Sequence, residues 1–216
     1  MLSNKRLRLE ALDTSRPIHF QLVNDILATP ELSNHLRWQH WPDIPAFMQW
    51  STTLDVWAII PNIPENDGQQ QQEGATRPRA AGIVCLIPDV PNKAGELGLL
   101  VLPAWQRTFV SGNAIGVLMQ HCFAPLSQGG LGLRRTEWRA TTLNEGSVRL
   151  AKRLGFKQEA ILRWQSVLPF DKDGEHRPGM EHEHPGRHTV VLAVCWEDWE
   201  EGAFQHALQA QMQRVK

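Results

Sequence analysis

Apolar positions along the chain recur with two spacings, one of alternate residues and one of three to four. Leu7, Leu9 and Leu12 punctuate a short opening strand. The cluster Asp13-Thr14-Ser15-Arg16-Pro17 behind it reads as a helix start, with a capping hydroxyl or carboxylate ahead of an early proline. Ile18, Leu22 and Ile26 supply the buried stripe of that helix, which Pro30 ends. The pattern weakens over 36–53, where Pro42 and Pro45 interrupt it and Phe47, Trp50 and Leu54 fit a second short helix. Residues 54–60, 80–87 and 95–102 read as strands, the first bounded by Pro61 and the last by Pro103. Over 113–123 the period is helical, with Ala114, Leu118 and Cys122 on one line and Ile115, Met119 and Phe123 beside it. Pro125 and Gly129-Gly130 close it. A strand over 136–141 precedes a helix over 144–154, which turns Val148, Ala151 and Leu154 inward and stops at Gly155 in the C′ position. Strands over 160–168 and 189–195 and an amphipathic helix over 199–214 complete the chain.

The strands come as adjacent runs, with one βαβ passage over 95–141. The expectation is an α/β (mixed α+β) fold: a mixed sheet of about seven strands with helices on both faces, in a single domain over 1–216. A polar segment at 62–79, holding Gln69 to Gln72, reads as a flexible excursion between two strands. Residues 170–188 form a polar, His-rich loop.

Composition narrows the class. Hydrophobic residues make up 42% and charged residues 21%, which excludes disorder throughout. A formal net charge of −1 supplies no basic field, so no nucleic-acid partner is expected. No apolar run approaches the roughly 18 to 20 residues of a membrane span, and no signal core follows the basic start, so a cytoplasmic address without membrane association is expected. Cys85, Cys122 and Cys195 are widely spaced inside apolar or helical patterns and read as reduced, buried thiols. The chain holds nine Trp and no Tyr.

The chemistry concentrates where the strand Glu96-Leu97-Gly98-Leu99-Leu100-Val101-Leu102 runs through Ala104-Trp105-Gln106-Arg107-Thr108-Phe109-Val110-Ser111 into a helix. Unpaired N–H groups at a helix start suit a pyrophosphate, and Arg107, Thr108 and Ser111 add donors. On this signal alone, an ordinary connection with an exposed Arg is the better reading. Further on come Thr141-Thr142-Leu143-Asn144-Glu145-Gly146-Ser147, then Leu154-Gly155-Phe156-Lys157-Gln158-Glu159-Ala160-Ile161-Leu162-Arg163. This ordered set resembles the second half of the GNAT acetyltransferase superfamily, in the branch that holds the ribosomal-protein N-terminal alanine acetyltransferases. The resemblance is clear over 96–163.

The resemblance implies a sheet whose central strands, 95–102 and 136–141, splay apart around the pantetheine arm of acetyl-CoA or another acyl-CoA. The backbone of Gly98 to Leu102 pairs with the pantetheine amides, and the N–H near Leu100 or Leu102 polarises the thioester. The turn through Gln106, Arg107, Thr108, Val110 and Ser111 takes the pyrophosphate, and Asn144 bonds near the arm. The reaction is acyl transfer to a primary amine by direct attack in a ternary complex. Ser147 serves the leaving thiolate in place of the Tyr many members use, and Glu96 receives the amine proton. A first-turn Ser bonded to nearby backbone and a strand Glu facing solvent are the alternatives for these two.

The acceptor is left open between a protein N-terminus and a small amine, and the assembly between monomer and homodimer. Trp38, Trp41 and Trp50 lie where the family forms one wall of the acceptor site, but for any one of them a core or rim role is the better reading. His176, His182, His184 and His188 crowd one loop with Glu181 and Glu183. Without a cysteine among them no metal is expected, but one of these histidines is a candidate for contacting substrate. The turn lacks the glycines usual in the superfamily's phosphate loop, which keeps a catalytically weak acyl-CoA-binding or interaction protein on the same fold as the alternative.

Overall fold

The computed structural model describes residues 2–37, 40–62 and 79–214. The polar segment expected between two strands lies outside the described residues over 63–78, as does Trp38. Among the described residues eight strands form one sheet in the order β1-β2-β3-β4-β5-β6-β8-β7. They are β1 (Leu2–Ser3), β2 (Leu7–Ala11), β3 (Asp55–Pro61), β4 (Gly82–Asp89), β5 (Ala94–Val101), β6 (Arg135–Thr141), β7 (Lys157–Val167) and β8 (Gly186–Cys195). The helices are α1 (Pro17–Leu27), α2 (Ile44–Ser51), α3 (Val110–Phe123), α4 (Glu145–Arg153), α5 (Trp196–Glu200) and α6 (Ala203–Gln213). Neighbouring strands are antiparallel except β5 and β6, which are parallel because α3 carries the chain back between them.

Residues paired across a sheet share a face, so the register sorts the side chains. One face carries Glu10, Ala58, Ile83, Cys85 and Ile87, then Glu96 opposite Glu137. The other carries Leu9, Ile59, Val84, Leu86, Leu97 and Trp138. Helix α1 covers the first face, where buried His19 meets Glu10 at 3.1 Å. Helix α3 covers the second, where Met119 Sδ accepts from Thr136 Oγ1 at 3.3 Å. Central strands are therefore buried on both sides and read as continuous apolar runs.

Three details depart from the sequence reading. Helix α1 starts at Arg16 without a side-chain cap, and Asp13 accepts the N–H of Ser15 instead. The last helix is two, broken at Gly202, whose φ of 78° reverses the chain. Cys195 is half-buried, unlike Cys85 and Cys122, and its Sγ meets Arg135 Nη1 at 3.7 Å. At the outer edge, β7 exposes Ile161, Trp164 and Val167.

Candidate active site

Strands β5 and β6 pair only from Ala94↔Arg135 to Leu97↔Trp138. Beyond that point they part, and Gly98 to Leu100 face Arg139 to Thr141 across a cleft. Asn144 and Ser147, from the start of α4, stand over it. The cleft widens towards the turn before α3 and ends in a rim carrying Arg107, Ser111, Arg149, Arg153 and Arg214.

The direction of each backbone group along β5 follows from its pairing with β4. The N–H of Leu102 donates to the carbonyl of Ala81 at 2.9 Å, so it points away from the cleft. Alternation sends the polar groups of Leu100 the same way. Its oxygen lies so near β4 that a Cβ on Gly82 would sit 2.0 Å from it, and Gly82 has a φ of +152° that favours glycine as well. The residues whose N–H and carbonyl groups face the gap are Leu99 and Val101. The expectation of a donor at Leu100 or Leu102 is thus displaced by one residue.

The turn 106–109 is made without glycine. Arg107 takes the left-handed conformation at φ 59°, which most side chains avoid at a cost of about 1 kcal/mol. Thr108 locks the turn: its hydroxyl donates to the carbonyl of Trp105 at 2.7 Å and accepts from the N–H of Val110 at 3.3 Å. The Thr108 proton expected to meet phosphate is therefore already engaged. Val110 is fully buried in the core and its N–H is occupied, so it turns nothing to the cleft. Gln106 donates from Nε2 to the carbonyl of Val101 at 3.0 Å, clasping the turn to the end of β5. Asn113 N–H is the first to bond within α3, to the carbonyl of Phe109. Ser111 and Gly112, which line the cleft, hold the open N–H groups of that helix start.

Where α4 meets the cleft, Asn144 Oδ1 caps the helix by accepting the N–H of Ser147 at 3.0 Å. Ser147 is not held by backbone as a first-turn Ser often is. Its Oγ accepts from the indole Nε1 of Trp138 at 2.9 Å, which leaves the hydroxyl proton to donate into the cleft.

On the Glu10 face of the sheet the cleft opens into a cavity lined by His35, Leu36, Arg37, Trp50, Glu96 and Arg187. The Glu96 side chain is 23% exposed and lies 3.7 Å from Arg139, so it faces this cavity rather than bulk water. Burial raises its pKa; Arg37 and Arg139 oppose the shift, and Glu137 alongside reinforces it. Glu137 itself is held by Arg135 at 2.9 Å and by Arg139 at 2.8 Å.

The expected tryptophan wall is half realised. Trp41 is buried against Phe47 and Trp50 at centroid distances of 4.9 and 4.8 Å, while Trp50 reaches the cavity. The histidines of 170–188 do not line it. His184 binds the carbonyl of Leu168 at 3.0 Å, His188 accepts the N–H of Trp164 at 2.9 Å, and Glu183 pairs with Arg177. Among the described residues no three His, Cys, Asp or Glu groups gather as a metal site would require. The residue this region does send to the cavity is Arg187. The sequence reading missed it, along with Arg149 and Arg153. A lone charge opening the buried run of β8 was the signal for the first, and the i,i+4 spacing on α4 for the other two.

A family model described as an acetyltransferase (GNAT) domain matches residues 6–157. Among solved structures, a GCN5-related N-acetyltransferase from Brucella melitensis superposes with a TM-score of 0.67 at 22% identity, over 97% of this chain and 83% of that one. Spermidine N-acetyltransferase from Vibrio cholerae, in complex with CoA and spermine, gives 0.65 at 12% identity, over 91% and 99%. RimL, a ribosomal alpha-N-protein acetyltransferase in complex with coenzyme A, gives 0.62 at 17%, over 92% and 98%. No curated protein sequence matches. Among the described residues no helix is long and apolar enough to cross a membrane.

Proposed function

The chain belongs to the GNAT acetyltransferase family, and from that premise we propose that it transfers an acetyl or similar acyl group from acyl-CoA to a primary amine by direct attack in a ternary complex. The observation that carries this reading is the parting of β5 and β6 after Leu97 and Trp138, with a basic rim at one end and Glu96 at the other. An extended arm with amides meets the N–H and carbonyl of Leu99 and the N–H of Val101, whose carbonyl already accepts from Gln106, as a strand would. Arg107, the N–H groups of Ser111 and Gly112, and the side chains of Arg149 and Arg153 suit its phosphates.

The chemistry follows from what each group can give. Glu96, as carboxylate, takes a proton from the acceptor ammonium directly or through water, and the neutral amine nitrogen attacks the thioester carbon. An N–H at Leu99 or Val101 donates to the developing oxyanion. Collapse breaks the C–S bond. Ser147, its oxygen held by Trp138, donates a hydrogen bond to the departing thiolate, and the second proton that the nitrogen loses as it becomes an amide ends on that sulfur as free thiol. A hydroxyl is a weaker acid than a phenol, so Ser147 stabilises the thiolate more than it protonates it.

The test is a pair of measurements on the purified protein. Acetyl-CoA should raise the melting temperature, and mixing with amines should release free thiol above the rate without enzyme. Binding without release would move the assignment to an acyl-CoA-binding protein, the reading that the absence of Tyr and the glycine-free turn favour. Absence of binding by acetyl-CoA and by longer acyl-CoAs would remove both.

A further inference from the structure

The cavity on the Glu96 face is lined by charges of both signs. Arg37, Arg139 and Arg187 look onto it, opposed by Glu96 and by a Glu137 already shared between Arg135 and Arg139. Arg187 is the unusual member. It is only 5% exposed, and its partners are neutral: Nε donates to Thr189 Oγ1 at 3.0 Å and Nη1 to the carbonyl of His35 at 2.8 Å. Among the described residues no carboxylate is paired with it. Burial and the charge of Arg37 lower its pKa to about 10, with Glu96 opposing, so it remains a cation at neutral pH.

A buried cation held only by neutral oxygens is costly, and a counter-ion entering the cavity relieves the cost. Guanidinium presents a planar fork whose match is a carboxylate. Its neighbour Glu96 is better placed to receive an ammonium proton than to serve as that counter-ion, because burial favours its neutral form. The cavity therefore offers two unlike ends, one for an amine and one for an acid.

We infer that the acceptor is a primary amine that also bears a carboxylate, its nitrogen directed to Glu96 and the open end of the cleft, its carboxylate received by Arg187 beside Arg37. This rests on the acyl-transfer reading of the same site. It also separates the chain from polyamine acetylation, since a second ammonium would be driven towards Arg187 and Arg37 rather than away from them.

The experiment compares ω-amino acids with amino alcohols of the same length, alongside spermidine, using acetyl-CoA and thiol release. Peptides with a free N-terminus and an acidic or neutral second residue tell a small acceptor from a protein one. At the best length the acid should exceed the alcohol by about 10- to 100-fold in kcat/KM, the range of a charge-assisted pair. Arg187→Gln should lower the rate with the acid far more than the rate with the alcohol, so that their ratio collapses towards one while acetyl-CoA still raises the melting temperature, and Arg187→Lys should restore part of the ratio. Alcohols or spermidine turned over as fast as the acids would overturn the inference and leave acyl transfer standing. If no amine releases thiol, acyl transfer fails. The acceptor role then fails with it, and calorimetry of amino acid binding to the protein–CoA complex decides only whether Arg187 receives a carboxylate: binding lost in Arg187→Gln upholds that part, and equal binding of the alcohol overturns it.

Discussion

The indole N–H of Trp138, at the last position where β6 pairs with β5, fixes the hydroxyl of Ser147 at the start of α4. One hydrogen bond of 2.9 Å thus joins the point where the sheet opens to the hydroxyl proposed to serve the departing thiolate. The two residues separate orientation from chemistry. Ser147→Ala should lower kcat by about 10- to 100-fold with little change in acetyl-CoA affinity, and Trp138→Phe should lower it by a smaller factor. Single-turnover rates and donor Kd check this; equal losses in both parameters would make Ser147 a structural hydroxyl.

Arg107 combines a strained backbone with a useful charge, and two substitutions pull these apart. Arg107→Gly relieves the left-handed conformation at φ 59° and should raise the stability of the free protein by up to about 1 kcal/mol. Arg107→Ala keeps the strain. Both should weaken acetyl-CoA binding by about 10-fold or more. Thermal melts and titration calorimetry measure the two effects independently, and unchanged affinity in either variant would remove Arg107 from the donor site.

Glu96 predicts a pH dependence with a definite sign. Burial first, then the Glu137 charge, favours its neutral form over the opposition of Arg37, Arg139 and Arg187. The base is the ionised form, so kcat/KM should rise with pH along an acid limb placed above the ordinary carboxylate range. Glu137→Gln removes a like charge and should move that limb down. Glu96→Gln should abolish the limb and cost about 100-fold or more. A limb that survives in Glu96→Gln belongs to another group.

Glu10 carries a stability prediction far from the cleft. Its side chain is 8% exposed and takes Arg8 at 2.6 Å and Arg16 at 2.5 Å. Burial raises its pKa, but the two guanidiniums outweigh burial and the net shift is downward. A carboxylate with a depressed folded pKa stabilises the fold above its unfolded value, near the usual 4.5, and that contribution is lost as pH falls through the folded value. Glu10→Gln should destabilise by about 1 to 3 kcal/mol at neutral pH and flatten the acid side of the stability curve. Denaturant melts between neutral and acid pH measure both.

The fold was legible wherever a local signal and the global one agreed. Asn144 and Gly155 bracket α4 as cap and stop, and β3, β4 and β8 announce themselves as unbroken apolar runs. The split of the last helix escaped because the apolar period continues through Gly202, and one glycine inside such a pattern reads as tolerated. Which residues of β5 face the cleft escaped for another reason. The parity of N–H groups along a strand is set by register against its neighbour, here Ala81 against Leu102, and nothing within 94–101 encodes it. Arg187 escaped because its meaning is tertiary: its interest lies in having neutral partners from Thr189 and from His35, far away in sequence.

The parting of β5 and β6 also bears on how the protein avoids sticking to its own kind. Unpaired strand edges template aggregation. The free edge of 98–101 faces inward across a wedge, with β4 already bonded on its other side, so a slender extended molecule can reach it while a foreign sheet cannot. Of the two outer edges among the described residues, β1 is only two residues long, whereas β7 is long, exposed and studded with Ile161, Trp164 and Val167. Register shifts after Gln158 and Leu162, and the left-handed Trp164 at φ 52°, keep that edge from running straight. The fold thus turns the edge of its cleft inward and bends the long edge at its rim.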